Sequence, residues 1–198
     1  MTISNGYCTL AEFKANAIPN AGTNSADDAV IEDIIEGASR RIDTYTGRTF
    51  YARTETHYYD SPDGEYDLWI HDDDLLTVSS ITNGDGTTIS SGSYKLLPLN
   101  KNPKYQVYLK PSSNLVWSFD SNSESLGSIT IAGTWGYSST APDDIKQACI
   151  MLASAEYRKR FGENSSSIAT VTGAGVVITP QGMPKDVADI LEKYKKLI

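Results

Sequence analysis

Histidine and cysteine are scarce in this chain, with two of each among 198 residues. His57 and His71, Cys8 and Cys149 match no zinc or redox spacing. Basic residues are in the minority, 17 against 25 acidic, which leaves a net charge of −8. Phosphate affinity comes from Lys and Arg, so general nucleic-acid binding is disfavoured. No apolar run approaches the ~18 residues that a membrane span needs. Met1 to Leu10 lacks the basic start and apolar core of a secretion signal. The nucleophile elbow Gly-x-Ser-x-Gly, the phosphate-binding P-loop and the dinucleotide-binding Gly-x-Gly-x-x-Gly are also missing. No residue is therefore assigned a catalytic, metal-binding or cofactor-binding role, and no cofactor is expected.

What the chain does have is the balance of an ordinary globular protein, 39% hydrophobic and 21% charged. Its length suits one domain, or one domain carrying a sizeable insertion. Thr9 and Glu12 have capping-box spacing and predict a short helix ending near Asn16. After a loop at Pro19, Asn20, Gly22 and Asn24, a long helix follows, with Ser25 or Asp27 as its cap. Ile31, Ile34, Ile35, Ala38, Ile42 and Tyr45 recur at three- and four-residue steps and form its apolar stripe. Gly47 closes it. A second long helix starts with Pro142 in its first turn and carries Ile145, Ala148, Cys149 and Leu152, with Tyr157 extending the stripe and Gly162 at its end. On that face Cys149 acts as a small buried hydrophobe, and two unpaired cysteines fit a reducing cytosol. Pro184 begins a last helix with Val187, Ile190, Leu191, Tyr194 and Ile198 on a narrow apolar edge.

From Thr49 to about Tyr137 the texture is β-rich. The expected strands are 53–59, 66–70, 76–81, 94–97, 106–110 and 128–135, with a strong turn at Asn83-Gly84-Asp85-Gly86 between two of them. Residues 163–183 are rich in Ser, Thr and Gly; 168–171 and 176–179 pair as a hairpin, or the segment is a flexible arm. One amphipathic stripe cannot stay exposed, so the helices on either side of the β block must pack together. The expected fold class is α+β. A small helical bundle, two long helices plus shorter N- and C-terminal ones, occupies 1–50 and 138–198. An inserted β-rich subdomain occupies 51–137.

Three acidic or aromatic groupings invite a chemical reading, and each has a plainer one. His71 before Asp72-Asp73-Asp74 could be a carboxylate metal site, but Asp is abundant in turns, and a polar turn between strands is favoured. Asp60, Asp63, Glu65 and Asp67 resemble a loose calcium loop without the alternation or terminal Glu of an EF-hand. Tyr58, Tyr59, Tyr66 and Trp69 could bind a sugar or a protein, but cross-strand packing explains them more simply. Charge is unevenly spread: residues 1–80 hold 5 basic and 15 acidic side chains, a net of −10, while the remainder is net +2. That asymmetry suits head-to-tail contact between unlike surfaces, or simply two solvated halves.

Three passages together resemble the head–tail connector, or adaptor, proteins of tailed bacteriophages. The first is Thr9 to Lys14 followed by the helix 31–45 and its ending in Gly47-Arg48-Thr49-Phe50. The second is Ile131-Ala132-Gly133-Thr134-Trp135-Gly136-Tyr137, and the third is Ala141-Pro142-Asp143-Asp144-Ile145 leading to Tyr157-Arg158-Lys159-Arg160. The resemblance implies a virion structural protein without catalytic residues, made in the bacterial host cytoplasm and placed at the head–tail junction. It implies a homo-oligomeric ring of about twelve subunits docked beneath the portal protein. Such a ring extends the DNA channel without sequence-specific binding and presents a surface to a downstream connector or tail protein; no membrane is involved. An acidic channel wall would let DNA slide, since like charge prevents sticking. The rival readings are another virion protein (tail-completion or minor capsid), a carboxylate-based hydrolase and a carbohydrate-binding module.

Overall fold

The computed structural model describes residues 3–17, 25–62, 64–161, 170–171, 177–178 and 183–196. Gly162, Ile198, Asp63 and most of 163–183 lie outside the described residues, as does the loop at 18–24. The chain is mixed α+β. Among the described residues it has helices α1 (Leu10–Ala17), α2 (Asp28–Thr46), α3 (Asp143–Phe161) and α4 (Lys185–Leu191), two small three-stranded antiparallel sheets and one two-stranded pair. It divides into two compact units, one of 1–47 with 141–197 and one centred on 48–140.

In the first unit, α1 starts as its sequence predicts. Thr9 Oγ1 accepts from the Glu12 backbone N–H at 3.1 Å, and the Glu12 carboxylate accepts from the Thr9 N–H at 2.8 Å. Helix α2 starts differently. Asp27 occupies the N-cap but makes no side-chain cap bond; the first turn closes through the Ser25 and Asp27 carbonyls. Gly47 ends α2 at φ 66°, its N–H donating to the Asp43 carbonyl at 2.8 Å. Pro142 stands just before α3 rather than within its first turn, and its carbonyl accepts from the Lys146 N–H.

Helix α3 touches α1, α2 and α4. A helix packed on several sides must be apolar on several sides. Ile145, Ala148, Cys149 and Leu152 are buried, and so are Ile150, Ala153 and Ser154, which lie off the expected stripe. On α2, Ile31, Ile34, Ile35, Ala38 and Ile42 are buried. Tyr45 is only half-buried; the position one residue on, Thr46, takes the buried place, with its hydroxyl donating to the Ile42 carbonyl at 2.9 Å. Tyr45 instead leans outward, its hydroxyl 3.0 Å from Glu192 and its ring beneath Lys195. The last helix is shorter than its apolar pattern predicts. Val187 and Leu191 are fully buried, but Ile190 is half-buried, and the chain tightens into a 3-10 turn at Glu192–Tyr194, which leaves Tyr194 half-buried too. The tighter turn eclipses side chains three apart and so breaks the 3.6-residue register.

In the second unit, β1 (Arg53–Tyr59), β6 (Ile129–Trp135) and β3 (Leu75–Thr82) form one antiparallel sheet in the order β1-β6-β3. The other sheet is β2 (Asp67–Trp69), β5 (Gln106–Leu109) and β4 (Tyr94–Leu97) in the order β2-β5-β4. The turn at 83–86 forms, with the Gly86 N–H on the Asn83 carbonyl, but it does not join two sheet neighbours. It folds Thr87–Ile89 back on β3, while β4 belongs to the other sheet. Leu68, Leu75, Ile81, Val107, Leu109, Trp117, Ile129, Ile131 and Trp135 form the core of this unit. In the stretch of the chain that belongs to the first unit, β7 (Thr170–Val171) and β8 (Val177–Ile178) pair antiparallel, with Thr170 opposite Ile178.

Candidate functional site

The polar cluster of the second unit is built on one face of β1. Alternate residues of a strand share a face, so Arg53, Glu55, His57 and Tyr59 point the same way. The turn before β3 brings Asp72, Asp73 and Asp74 to them. His57 Nδ1 lies 3.0 Å from Asp72 Oδ2, and its Nε2 lies 3.2 Å from Glu55 Oε2. The ring stacks on Trp135 at 3.9 Å between centroids and 12° between planes. Tyr59 donates to Asp72 Oδ1 at 2.6 Å. Burial opposes ionisation of Asp72, but the Tyr59 and His57 hydrogen bonds outweigh it and hold its pKa below the ordinary carboxylate value.

Glu55, His57 and Asp73 could offer ligand atoms within 4.8 Å of one another to a metal ion. A cation already serves that corner: Arg53 bonds Asp73 through Nη2 and stands 3.3 Å from Glu55 through Nη1. The arrangement is an ion-pair lattice over a buried tryptophan. His71, the histidine next to the Asp run in sequence, is exposed and lies over Trp69. His57 takes its place because β1 and the 72–74 turn meet only in the folded sheet. The period-2 alternation of 53–59 was the available signal. The looser acids are also spoken for: Asp60 accepts from the Gly127 N–H at 2.8 Å, and Asp67 accepts from Gln106.

Of the connector-like passages, Arg48-Thr49-Phe50 and 131–137 fall in the second unit, and Arg48, Phe50, Gly136 and Tyr137 gather there at one corner, whereas 9–14, the helix 31–45 and 141–160 lie in the first unit. Phe50 is fully buried against Tyr137, with ring centroids 5.3 Å apart. Arg48 lies over the Tyr137 ring and pairs with Asp74, which is 1% exposed, at 2.6 Å. Gly136 donates its N–H to the Asp74 carbonyl. A Cβ there would sit 2.3 Å from the Tyr51 carbonyl oxygen, at a φ of 134° that side chains rarely adopt. Gly133 on the central strand β6 has the same constraint, since its Cβ would meet the Thr77 carbonyl oxygen at 2.2 Å. Trp135 is fully buried, its indole N–H donating to the Glu55 carbonyl at 3.1 Å. Here Gly133 and Gly136 allow close backbone approach, and Trp135 fills the core beneath β1.

Several large apolar side chains remain exposed. In the second unit the outer face of β2-β5-β4 presents Trp69, 54% exposed, with Tyr108 and Leu97 half-exposed beside it and Leu99 in the adjoining loop. Tyr58 and Leu126 are exposed elsewhere on the unit. The four clustered aromatics thus divide: Tyr59 and Tyr66 pack inward, while Tyr58 and Trp69, at alternate strand positions, face out. In the first unit a groove of about 500 Å³ runs between α2 and α3, with Ile34, Ala38 and Leu152 among its walls and Asp33, Arg41 and Arg160 at its rim. Gly37 leaves it open, since a Cβ there would meet nothing within 4 Å.

Among curated proteins, none matches this sequence. Among solved structures, a chain from the neck of an empty gene transfer agent particle, computed with C6 symmetry, is similar over 100% of this chain and 94% of its own, at TM-score 0.64 and 15% identity. A chain of the native gene transfer agent virion covers the same shares at TM-score 0.62 and 16% identity. A chain from the native particle's neck, computed with C12 symmetry, covers 100% and 93% at TM-score 0.60 and 14% identity. The fold is shared along its whole length despite few identical residues. The family model described as "Head completion protein" matches residues 9–197, and the chain belongs to that family.

Proposed function

We propose that this chain is a structural subunit of the head–tail connector of a phage or phage-like particle, residing in the virion at the junction of head and tail. The observation that carries the reading is the family match across 9–197. The fold it shares with chains of gene transfer agent necks supports it, and the C6 and C12 symmetry of those necks supports a closed ring of identical subunits. A ring needs two unlike, complementary patches on each subunit. The open α2–α3 groove and the aromatic outer sheet face are two such unlike surfaces on one chain. The ring is read as about twelve subunits, each built on a small helical bundle, docked beneath the portal, extending the DNA channel and offering its far side to a tail protein. Its role is mechanical, not catalytic.

The test is to mix the purified chain with a portal ring and follow it by light scattering and negative-stain imaging. Closed rings seated on the portal are expected. Binding to a tail tube with no affinity for the portal would overturn the reading in favour of a tail-completion protein.

A further inference from the structure

We propose that Cys8 and Cys149 form a cross-linking site, closing into a disulfide that staples the N-terminal segment to α3 when the protein meets an oxidising environment. They are the two cysteines of the chain, and they come from opposite ends of it, 141 residues apart. The fold sets their sulfurs 3.8 Å apart inside the first unit, with both thiols free. A disulfide needs about 2.05 Å, so closing the bond brings the two sulfurs together by a little under 2 Å.

The surroundings favour the step. The segment before α1 is already laid along α2: Ser4 and Asn5 donate backbone N–H groups to Glu36, Tyr7 donates its N–H to Ser39 Oγ at 3.0 Å, and Arg40 donates to the Asn5 carbonyl. Those bonds hold Cys8 in register over α3. Ser39 Oγ is also 3.4 Å from the Cys149 sulfur. The contact between the two sulfurs, in which either can donate, lowers the Cys149 pKa and raises that of Cys8.

The co-reactant is a small-molecule disulfide. The Cys149 thiolate attacks one sulfur of it, forming a mixed disulfide and releasing one thiolate. Cys8 then gives up its proton, which the released thiolate takes, and attacks the Cys149 sulfur. The second small thiolate leaves and is protonated by solvent. The protein loses two hydrogens and two electrons, and the small disulfide is reduced to two thiols. Both sulfurs are buried, at 3% and 0% exposure, so the reaction waits on lifting of the first residues. A reducing host cytosol leaves the pair open during assembly, and release of the particle closes it. That timing rests on the virion reading above; the bond itself does not, and it is tested on the isolated chain.

The folded protein is equilibrated with excess glutathione disulfide, alkylated and mapped by mass spectrometry. Expected are loss of two hydrogens, a cross-linked peptide joining Cys8 to Cys149, no thiol titratable in detergent, and a Tm higher by roughly 5–15 °C than that of the reduced chain. The Cys8→Ser chain should not show the two-hydrogen loss. If that variant fails to fold, the map of the natural chain decides alone. Two titratable thiols surviving in the folded protein while the urea-unfolded chain oxidises would overturn the proposal. So would a stable glutathione adduct on either cysteine in place of the cross-link.

Discussion

Asp74 illustrates how much rests on individual side chains here. Its carboxylate is buried and takes two hydrogen bonds from Arg48 Nη1, at 2.6 and 2.7 Å, while its backbone carbonyl accepts from Gly136. Replacing it with Ala leaves a half-buried guanidinium without its counter-charge, and we expect Asp74→Ala to cost about 3–5 kcal/mol in urea unfolding. Gly133→Ala drives a methyl group into the Thr77 carbonyl, so β3 and β6 must separate. That change is expected to lower Tm by roughly 4 °C or more. Glu12 makes the pH prediction. Lys146 donates to it at 2.8 Å, and the Thr9 N–H and hydroxyl add to this, so its pKa is held below the unfolded value. A depressed carboxylate contributes stability that is complete above the unfolded pKa of about 4.3 and is lost as pH falls through the lower folded value. The Glu12→Gln chain should therefore show a flatter loss of stability below about pH 4 in acid titration followed by circular dichroism.

At the scale of elements, α2 and α3 hold the first unit together. Ile35 is fully buried in the stretch of α2 that reaches Cys149, its own carbonyl 3.9 Å from that sulfur. Ile35→Ala should destabilise the unit by about 2–5 kcal/mol, read as a lower denaturation midpoint with an unchanged slope. Both helices were legible in the sequence because the three- and four-residue recurrence of Ile31, Ile34, Ile35, Ala38 and Ile42 is local information. The capping box at Thr9 was legible for the same reason. Less legible was the true breadth of the α3 contact, since Ile150, Ala153 and Ser154 gain their burial from neighbours that α3 meets only after folding. Strand positions were also readable, to within a residue or two. Their order was not: β6 sits between β1 and β3, about seventy residues from one of them, and no turn signal announces such a pairing.

At the scale of the molecule, charge and assembly are linked. The net −10 of the first 80 residues against +2 for the rest does not survive as two sides of the fold: the first unit is net −3 and the second net −5, so neighbouring copies carry like charge and long-range repulsion opposes their contact. If ring closure works against that repulsion, assembly measured by light scattering should strengthen as salt rises from about 0.05 to 0.5 M, where the screening length falls well below 10 Å. A ring that forms equally well at both salts would assign closure to apolar contacts such as the exposed Trp69 face.

The sequence by itself determined the kinds of element, their order, the acidic balance and the resemblance to connector proteins, because each of these is written in residue identity or in spacing of a few positions. Only the tertiary structure decided which distant residues meet. Cys8 reached Cys149, and His57 rather than His71 came to lie against Asp72 over Trp135. The physical reason is that side-chain period is a property of one segment, whereas partnership depends on burial shared between segments, which no local pattern encodes.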